Sequence, residues 1–444
     1  MSSSPDDGAA DPRTVTSGTE TPEHPELPKP LLTLRDGLPP VVETEAALRE
    51  LCDDLRSGTG PVAIDAERAS GYRYSNRAYL IQLRREGSGT FLVDPIAFDS
   101  MAPLQEVLEG TEWILHAATQ DLPCLADLGL RPSRLFDTEL AGRLLGYPRV
   151  GLATLVETIL GHRLAKEHSA VDWSTRPLPE PWLEYAALDV EPLVELRQAQ
   201  VEELAAAGKT EWAQQEFEYV RGFVPAPRAE PWRRTSGLHK VRGRRGLAAV
   251  RELWQIRDEI AARRDVTPGR IVPDSAIVAA AHALPADRAT LLQTKGFHGR
   301  GAERYANRWV AAIKAALEMP ESELPKRSPR TEGPPTPRAW AERDPVAALR
   351  LNLARAAMTK LAEDLHLPVE NLLTPDHLRR TLWTPPAVRE PEALLAAVRT
   401  QLEGYGARPW QIGFAAPVLV AAIVAADEAP PEIQPVAPTD DPAG

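Results

Sequence analysis

The chain has 444 residues, 43% of them hydrophobic, which is enough for roughly two to four domains with cores of their own. Its two cysteines, Cys52 and Cys124, exclude a disulfide framework and a cysteine-rich zinc site, so a bound metal would have mainly oxygen ligands. A formal net charge of −12 disfavours a polyanionic partner for the chain as a whole, although acidic tails contribute to it and the arginines gather elsewhere.

Both ends of the chain, residues 1–32 and 428–444, are predicted to be disordered tails, because Pro and acidic residues dominate there without helical or strand periodicity. The N-terminal segment lacks the basic start and the apolar stretch of a signal peptide, which predicts a cytoplasmic location. The longest apolar run, Phe414 to Ala426, is shorter than the roughly 20 residues that a membrane-spanning helix requires. We therefore expect a core helix there and no membrane partner.

Helix and strand signals alternate between residues 33 and 222. Thr44 is a candidate N-cap for the first helix. The strands that follow are Val62–Ile64, Tyr79–Leu83, Thr90–Val93, Trp113–His116 and Leu135–Asp137. The first three are joined by short loops, which predicts an antiparallel meander, and the last two alternate with helices. Together these signals predict an α/β domain with a mixed five-stranded sheet.

The C-terminal half of the chain is helical in pattern. Prolines and basic residues over 223–245 predict an exposed linker, and a Pro-rich gap over 319–338 predicts a second one. Helical periodicity over 246–318 and 339–427 predicts two all-α domains. Residues 33–222 are therefore expected to form one domain that two helical domains follow.

Two acidic residues follow the first predicted strand. Asp65 and Glu67 are two positions apart, so on a strand their side chains leave the same face roughly 6 to 7 Å apart. Taken alone, two acids at a strand end are more often solvated loop residues than metal ligands. A metal site is indicated when further carboxylates converge on the same face.

Further acids recur in the same domain. Asp121 opens the helix after the fourth strand, where its ordinary role would be to complement the helix dipole. Tyr185 and Asp189 are one turn apart in the last helix and therefore share a face. Four carboxylates crowded together would repel one another and raise one another's pKa, so the group predicts divalent metal, with Mg²⁺ or Mn²⁺ favoured by hard oxygen ligands.

Three motifs resemble those of the DEDD superfamily of exonucleases, in its tyrosine subclass. They are Asp65-Ala66-Glu67, the run from His116 to Leu122 and the run from Tyr185 to Asp189. More narrowly, Asp172-Trp173-Ser174 and Arg176-Pro177-Leu178 are similar to the segment characteristic of ribonuclease D. Residues 246–318 resemble the HRDC domain, and residues 339–427 resemble a degenerate second copy of it.

The resemblance implies a ribonuclease H-like fold and 3′–5′ exonucleolytic hydrolysis of phosphodiester bonds with two Mg²⁺ or Mn²⁺ ions. By analogy with the family, Asp65, Glu67 and Asp189 would bind the ions directly and Asp121 would bind one partly through water. Tyr185 would orient the attacking water. His116, at the end of the fourth strand, is expected to be structural.

Candidate contacts with nucleic acid come from two sources. Gln82, Lys166 and Trp173 match the family pattern, with surface or packing roles as the alternative for each. The predicted linker also carries many basic side chains against one acid, Glu230, which favours contact with backbone phosphates over a merely solvated linker. The candidates in this linker are Arg233, Arg234, Lys240, Arg242, Arg244 and Arg245.

The expected function is that of an exoribonuclease that trims the 3′ ends of structured RNAs such as tRNA precursors. A deoxyribonuclease of similar mechanism stays open, because the motifs do not read the 2′-hydroxyl group. A catalytically silent nucleic-acid-binding protein is disfavoured, because all four carboxylates and the tyrosine are present. A monomer is the working expectation for the oligomeric state.

Overall fold

A mixed β-sheet organises the N-terminal half of the chain. Its strands are β1 (Val41–Val42), β2 (Thr59–Arg68), β3 (Ala78–Glu86), β4 (Gly89–Val93), β5 (Glu112–Leu115) and β6 (Arg134–Asp137). Among the residues that the computed structural model describes, 29–164, 170–327 and 333–428, these six strands form one sheet in the order β1-β4-β3-β2-β5-β6. β2, β3 and β4 pair antiparallel, whereas β1, β5 and β6 pair parallel with their neighbours. The predicted mixed α/β fold is confirmed, but the predicted number of five strands is wrong, because β1 adds a sixth.

Alternation along β2 assigns its side chains to two faces of the sheet. Val62, Ile64 and Ala66 are buried in the hydrophobic core on one face. Asp65 and Glu67 therefore project from the opposite face, since neighbouring side chains of a strand point to opposite sides. The acidic residues leave the sheet on the side where the later helices of this domain pack.

Helices cover both faces of the sheet in this sheet domain, residues 33–222. The first helix begins after Thr44, whose side chain accepts a hydrogen bond from the Ala47 amide, as its N-cap pattern predicts. The helices are α1 (Glu45–Ser57), α2 (Ala102–Leu108), α3 (Leu122–Asp127), α4 (Thr138–Leu144), α5 (Leu152–Leu155), α6 (Glu180–Val190), α7 (Leu193–Ala206) and α8 (Thr210–Arg221). Shorter segments are the 3-10 turns Pro95–Ala97 and Ala118–Gln120 and the π-helix Val156–Leu160.

A second unit is all helical and has its own hydrophobic core. Its helices are α9 (Arg244–Arg264), α10 (Pro268–Ile271), α11 (Asp274–Ala283), α12 (Arg288–Gln293), α13 (Arg300–Arg304) and α14 (Ala306–Glu318). Trp232 and Val241, from the predicted linker before α9, are buried in this core, and so is Leu324, from the predicted linker after α14. Both predicted linkers therefore contribute side chains to the second helical unit.

A third unit, also helical, shares one hydrophobic core with the sheet domain. Its helices are α15 (Trp340–Arg343), α16 (Pro345–Asp364), α17 (Val369–Leu372), α18 (Pro375–Trp383), α19 (Pro391–Gly404) and α20 (Pro409–Glu428). The shared core joins Phe136 and Phe217 of the sheet domain to side chains such as Leu351 of α16. Trp212 of α8 stacks on Trp410 of α20, with ring centroids 4.9 Å apart. The third unit is thus packed directly on α7 and α8.

Polar contacts reinforce this junction. The Lys209 ammonium donates to the Leu144 carbonyl over 2.6 Å and to the His366 carbonyl of the third unit over 3.1 Å. Gly146 has a φ of 83°, and a Cβ at this position would lie 2.5 Å from the His366 carbonyl oxygen. A residue with a side chain there would push the two backbones apart.

The apolar helix α20 belongs to the shared core. Among the described residues it is the one helix whose length and hydropathy are compatible with a membrane span, and it contains Pro417. It packs against α16 and α19, and its residues Leu419, Ile423 and Ala426 are fully buried. This is the core helix expected from the apolar run between Phe414 and Ala426.

The inner end of the predicted N-terminal tail joins the sheet domain. The Leu32 amide donates to the Arg163 carbonyl over 2.8 Å, and the Arg163 amide donates to the Pro30 carbonyl over 2.9 Å. The remainder of the predicted tails, residues 1–28 and 429–444, lies outside the described residues.

Candidate active site

Three carboxylates from two elements meet on one face of the sheet. β2 carries Asp65 and Glu67 at alternate positions, and α6, which packs on β2, carries Asp189. One oxygen of each carboxylate lies within 4.8 Å of the other two. The strand period and the docking of α6 therefore bring together acids that are more than 120 positions apart in the sequence.

Asp121 and Tyr185 complete the group. Asp121 is buried, and the charge of the neighbouring Asp65 carboxylate adds to the effect of burial in raising the pKa of Asp121. Tyr185 lies one helical turn before Asp189, and its hydroxyl donates a hydrogen bond to that carboxylate. All five side chains line one cavity of about 290 Å³. The structure thus gathers the whole predicted catalytic set in one place.

Burial and crowding disfavour ionisation of the carboxylate cluster, which is defined as Asp65, Glu67, Asp121 and Asp189. Burial raises the pKa of Glu67 to about 10, and the charges of the other three acids add to the shift. The pKa values of those three acids are also raised, with burial as the main cause. A divalent cation would reverse these shifts, because its charge stabilises the ionised carboxylates.

The donor atoms of the carboxylate cluster fit a hard divalent cation. The oxygens of Asp65, Glu67 and Asp189 are close enough together to share one ion, and oxygen ligands favour Mg²⁺ or Mn²⁺ over metals that prefer sulfur. Cys124 is the cysteine nearest to this group in sequence, but its thiol is buried and donates to the Asp121 carbonyl over 3.1 Å. The three acids are therefore the residues that would hold a metal.

Arg68 lines the same cavity, although it is not among the predicted site residues. Its Nη2 lies 3.5 Å from Asp121 Oδ1. Arg68 directly follows Glu67, so strict alternation would direct its side chain to the opposite face. The register between β2 and β3 shifts between these two residues, and such an irregularity re-aims a side chain. The shift depends on the partner strand, so no local sequence signal marks Arg68.

A buried carboxylate holds the turn that leads to Asp121. Asp137, at the end of β6, accepts hydrogen bonds from the amides of Ala117 and Ala118 at 3.1 and 2.8 Å. It also caps α4 by accepting from two amides of its first turn. Ala117 has a φ of 59°, in the left-handed region that residues with a side chain rarely adopt. The N-cap pattern that Asp137 forms before α4 is visible in the sequence, whereas its bonds to the turn are not.

His116 forms part of the cavity wall. Its Nδ1 lies 2.8 Å from Thr138 Oγ1, and burial lowers its pKa to about 4. The imidazole is therefore neutral at physiological pH, which agrees with the structural role expected for it.

The structure corrects two of the predicted nucleic-acid contacts. Gln82 and Trp173 are both 0% exposed, so neither side chain can touch a bound strand in this conformation. Gln82 lies opposite Asp65 in the pairing of β2 with β3, and Trp173 packs edge-on against Trp182. Both side chains lie inside the domain. Lys166, the third residue of this group, lies outside the described residues.

Three arginines of the predicted basic linker make hydrogen bonds or ion pairs with other residues of the protein. Arg233 pairs with Glu230 at 2.6 Å and also donates to the Lys326 carbonyl over 3.0 Å. Arg244 and Arg245 donate to backbone carbonyls at and beyond the C-terminal end of α14. Basic side chains commonly satisfy the free carbonyls at such a helix end. These three arginines therefore stabilise the second helical unit.

The other part of the linker points to solvent. Arg234, Lys240 and Arg242 are exposed, and their side chains make no hydrogen bond or ion pair with other residues of the described ranges. Their charges, like that of the exposed Arg228 in the same segment, are available to a phosphate.

The second helical unit is docked on the loop that follows the acidic strand. Asp265, at the C-terminal end of α9, accepts hydrogen bonds from the amides of Tyr74 and Ser75 at 3.2 and 2.8 Å. The Thr267 amide donates to the Tyr72 carbonyl over 3.1 Å. These contacts fix the second unit to the connection between β2 and β3, just beyond the carboxylate cluster.

Family models match the three units separately. Residues 39–205 match a model described as 3′–5′ exonuclease, and residues 246–313 match the HRDC domain. Residues 333–423 match a model described as the 3′ to 5′ exonuclease C-terminal domain. The interpretation of this third unit as a degenerate second HRDC copy stays a prediction.

The fold and the carboxylate cluster together define a 3′–5′ exonuclease that depends on divalent metal. A ribonuclease D from Acidiphilium cryptum is 31% identical over 365 residues, which cover 78% of this chain and 86% of the relative. The chain therefore belongs to the ribonuclease D family. Ribonuclease D of Escherichia coli is 30% identical over 295 residues, which cover 64% of this chain and 77% of that protein.

Solved structures extend the similarity to the whole arrangement of units. A protein from Bifidobacterium adolescentis is 39% identical, with a TM-score of 0.81 over 89% of this chain and 100% of that one. The structure of E. coli RNase D, described as an exoribonuclease involved in structured RNA processing, is 26% identical. It has a TM-score of 0.61 over 82% of this chain and 99% of that one.

Proposed function

We propose that the chain removes nucleotides from the 3′ ends of RNA by hydrolysis of phosphodiester bonds. The observation that carries this proposal is the convergence of Asp65, Glu67 and Asp189, with oxygens within 4.8 Å of one another, in a member of this family. RNA is favoured over DNA because the similar E. coli protein is an exoribonuclease involved in structured RNA processing.

The proposed roles follow from the position of each side chain. Asp65, Glu67 and Asp189 hold metal directly, and Asp121 contributes partly through water. When bound, two Mg²⁺ or Mn²⁺ ions supply the positive charge that activates water and stabilises the departing 3′ oxygen. Burial raises the pKa of Tyr185, so its hydroxyl stays protonated and orients the attacking water instead of removing a proton.

The proposed substrates are structured RNAs with 3′ extensions, such as tRNA precursors. The free charges of Arg234, Lys240 and Arg242 support contact with backbone phosphates of a longer RNA, which is independent of base sequence. A monomeric state and a cytoplasmic location stay predictions from the sequence.

Degradation time courses test this proposal. We would compare 5′-labelled tRNA with a 3′ extension, single-stranded RNA and single-stranded DNA of equal length, each with Mg²⁺ or Mn²⁺. The expected result is stepwise shortening of RNA from its 3′ end, which stops in excess chelator and in the Asp65→Asn variant. Asp53→Asn, on the exposed side of α1, is the matched control and should retain activity.

The other outcomes identify the alternatives. Faster shortening of DNA than of RNA would favour the deoxyribonuclease, and binding without cleavage of any substrate would favour the silent binding protein. The assays use the full chain, in which the third unit completes the core that it shares with the sheet domain.

A further inference from the structure

We infer that Arg68 is the resident counterion of the carboxylate cluster, and that it turns to the scissile phosphate when metal and substrate occupy the site. This inference deepens the proposed function and rests on it. Arg68 would then contribute to the reaction in two ways, through the affinity of the site for metal and through stabilisation of charge on the phosphate.

Arg68 balances part of the negative charge in the cavity. Among the described residues that line the cavity, Arg68 is the one Lys or Arg side chain beside four carboxylates. His116 lines the same cavity but is neutral at physiological pH, because burial lowers its pKa to about 4. Without metal, Arg68 is therefore the main positive charge available to the carboxylate cluster.

Arg68 is loosely held in its present position. Its guanidinium is 3.5 Å from Asp121, which is longer than an ordinary charged hydrogen bond, and its side chain is 27% exposed. Arg84 of β3 provides the contrast. It is 9% exposed and bonds Glu191 at 3.0 Å and Thr90 at 2.7 Å. Arg84 is a fixed structural ion pair, whereas Arg68 keeps donors that can be redirected.

A phosphate is the partner that the Arg68 guanidinium would bind once metal occupies the site. Metal at the acids supplies a positive charge beside Asp121, which removes the attraction that holds Arg68 there. A guanidinium presents a planar fork of donors that matches two oxygens of a phosphate. In a nuclease cavity, the phosphate of the bond to be broken is the anion that comes within its reach.

The test compares Arg68→Met with wild type in two measurements. The first is the dissociation constant of Mn²⁺ for the protein without RNA, measured by calorimetry. Removal of a neighbouring positive charge should tighten Mn²⁺ binding by roughly tenfold. The second is kcat/KM on a short oligoribonucleotide at saturating Mn²⁺, which should fall by roughly 100-fold because a donor to the reacting phosphate is lost.

Opposite changes in the two measurements distinguish this role from general damage to the site, which would weaken both. Arg68→Lys keeps the charge without the planar fork, so it should bind Mn²⁺ like wild type and recover part of the lost rate. Arg56→Met is the control, because Arg56 is an exposed residue of α1 on the other face of the sheet.

Unchanged or weaker Mn²⁺ binding by a folded Arg68→Met variant would overturn the counterion role. A rate equal to that of Arg56→Met would overturn the contact with phosphate. If wild type itself failed to cleave RNA, the proposed function would fall and the phosphate contact with it. The Mn²⁺ measurement would still decide the counterion role.

Discussion

Replacement of Asp137 by Asn tests whether the turn before Asp121 is held by one buried carboxylate. Asp137 is 3% exposed, and burial raises its pKa to about 6, so it is ionised at pH 7.5. One of its oxygens accepts from Ala117 and from two amides of α4, and the other accepts from Ala118 at 2.8 Å. Asn retains one oxygen and places an NH₂ group where the second oxygen was.

The Asp137→Asn variant should be less stable, because Asn cannot accept all the hydrogen bonds that the Asp137 carboxylate accepts. In the less costly orientation, the Asn NH₂ group faces the Ala118 amide, so a hydrogen bond to a charged group is lost and a buried donor has no acceptor. We expect a loss of about 3 kcal/mol in the free energy of unfolding. For a protein of this size the corresponding decrease in Tm is roughly 3 °C. Because Ala117 is held at a φ of 59°, we expect the turn to relax and Asp121 to shift.

Thermal unfolding at pH 7.5 measures the decrease in Tm. Mn²⁺ calorimetry and RNA cleavage assays measure the consequence of a shifted Asp121. The Asp344→Asn variant is the control, because Asp344 caps α16 in the third unit and Asn is also a good N-cap. A wild-type Tm for Asp137→Asn would refute the hydrogen-bond reasoning. A lower Tm with unchanged Mn²⁺ affinity and cleavage rate would refute the link to Asp121.

Three further predictions concern other parts of the molecule. Because the pKa of Glu67 is raised to about 10, this group is protonated at neutral pH until metal binds. Mn²⁺ affinity should therefore increase with pH, and calorimetry in buffers of different ionisation enthalpy should show proton release that decreases in Glu67→Gln. Tyr185→Phe should lower kcat by roughly 100-fold with little change in KM, in steady-state cleavage assays. Trp410→Ala should lower the free energy of unfolding by about 4 kcal/mol in denaturant titrations, because it removes the stacking partner of Trp212 from the shared core.

The positions of the acids could be predicted from the sequence because the patterns involved are local. Asp65 and Glu67 share a face through the strand period, and Tyr185 and Asp189 share one through the helical turn. The two-residue strand Val41–Val42 could not be predicted, because so short a segment has no periodicity and forms by parallel pairing with β4, about 50 positions later.

The other differences between the predicted and observed contacts arise from burial and from contacts between residues that are distant in sequence. Gln82 and Trp173 match a family pattern, but a pattern of residue types does not separate a buried side chain from one that contacts substrate. The basic residues near position 240 are of the same type and lie close together in the sequence. Arg245 nevertheless donates to carbonyls at the end of α14, more than 70 positions away. Arg242 meets solvent. Such contacts depend on how distant helices pack, and local composition carries no information about them.

The two helical units contribute to the exonuclease in different ways. The third unit covers apolar surface of α7 and α8, and its Trp410 also donates to the buried Glu216 carboxylate over 2.8 Å. Removing it would expose that surface and leave Glu216 without this donor. The second unit has its own core and meets the sheet domain through polar contacts such as those of Asp265. Isolation of the catalytic activity therefore requires the third unit to be kept, even in a protein from which the second has been removed.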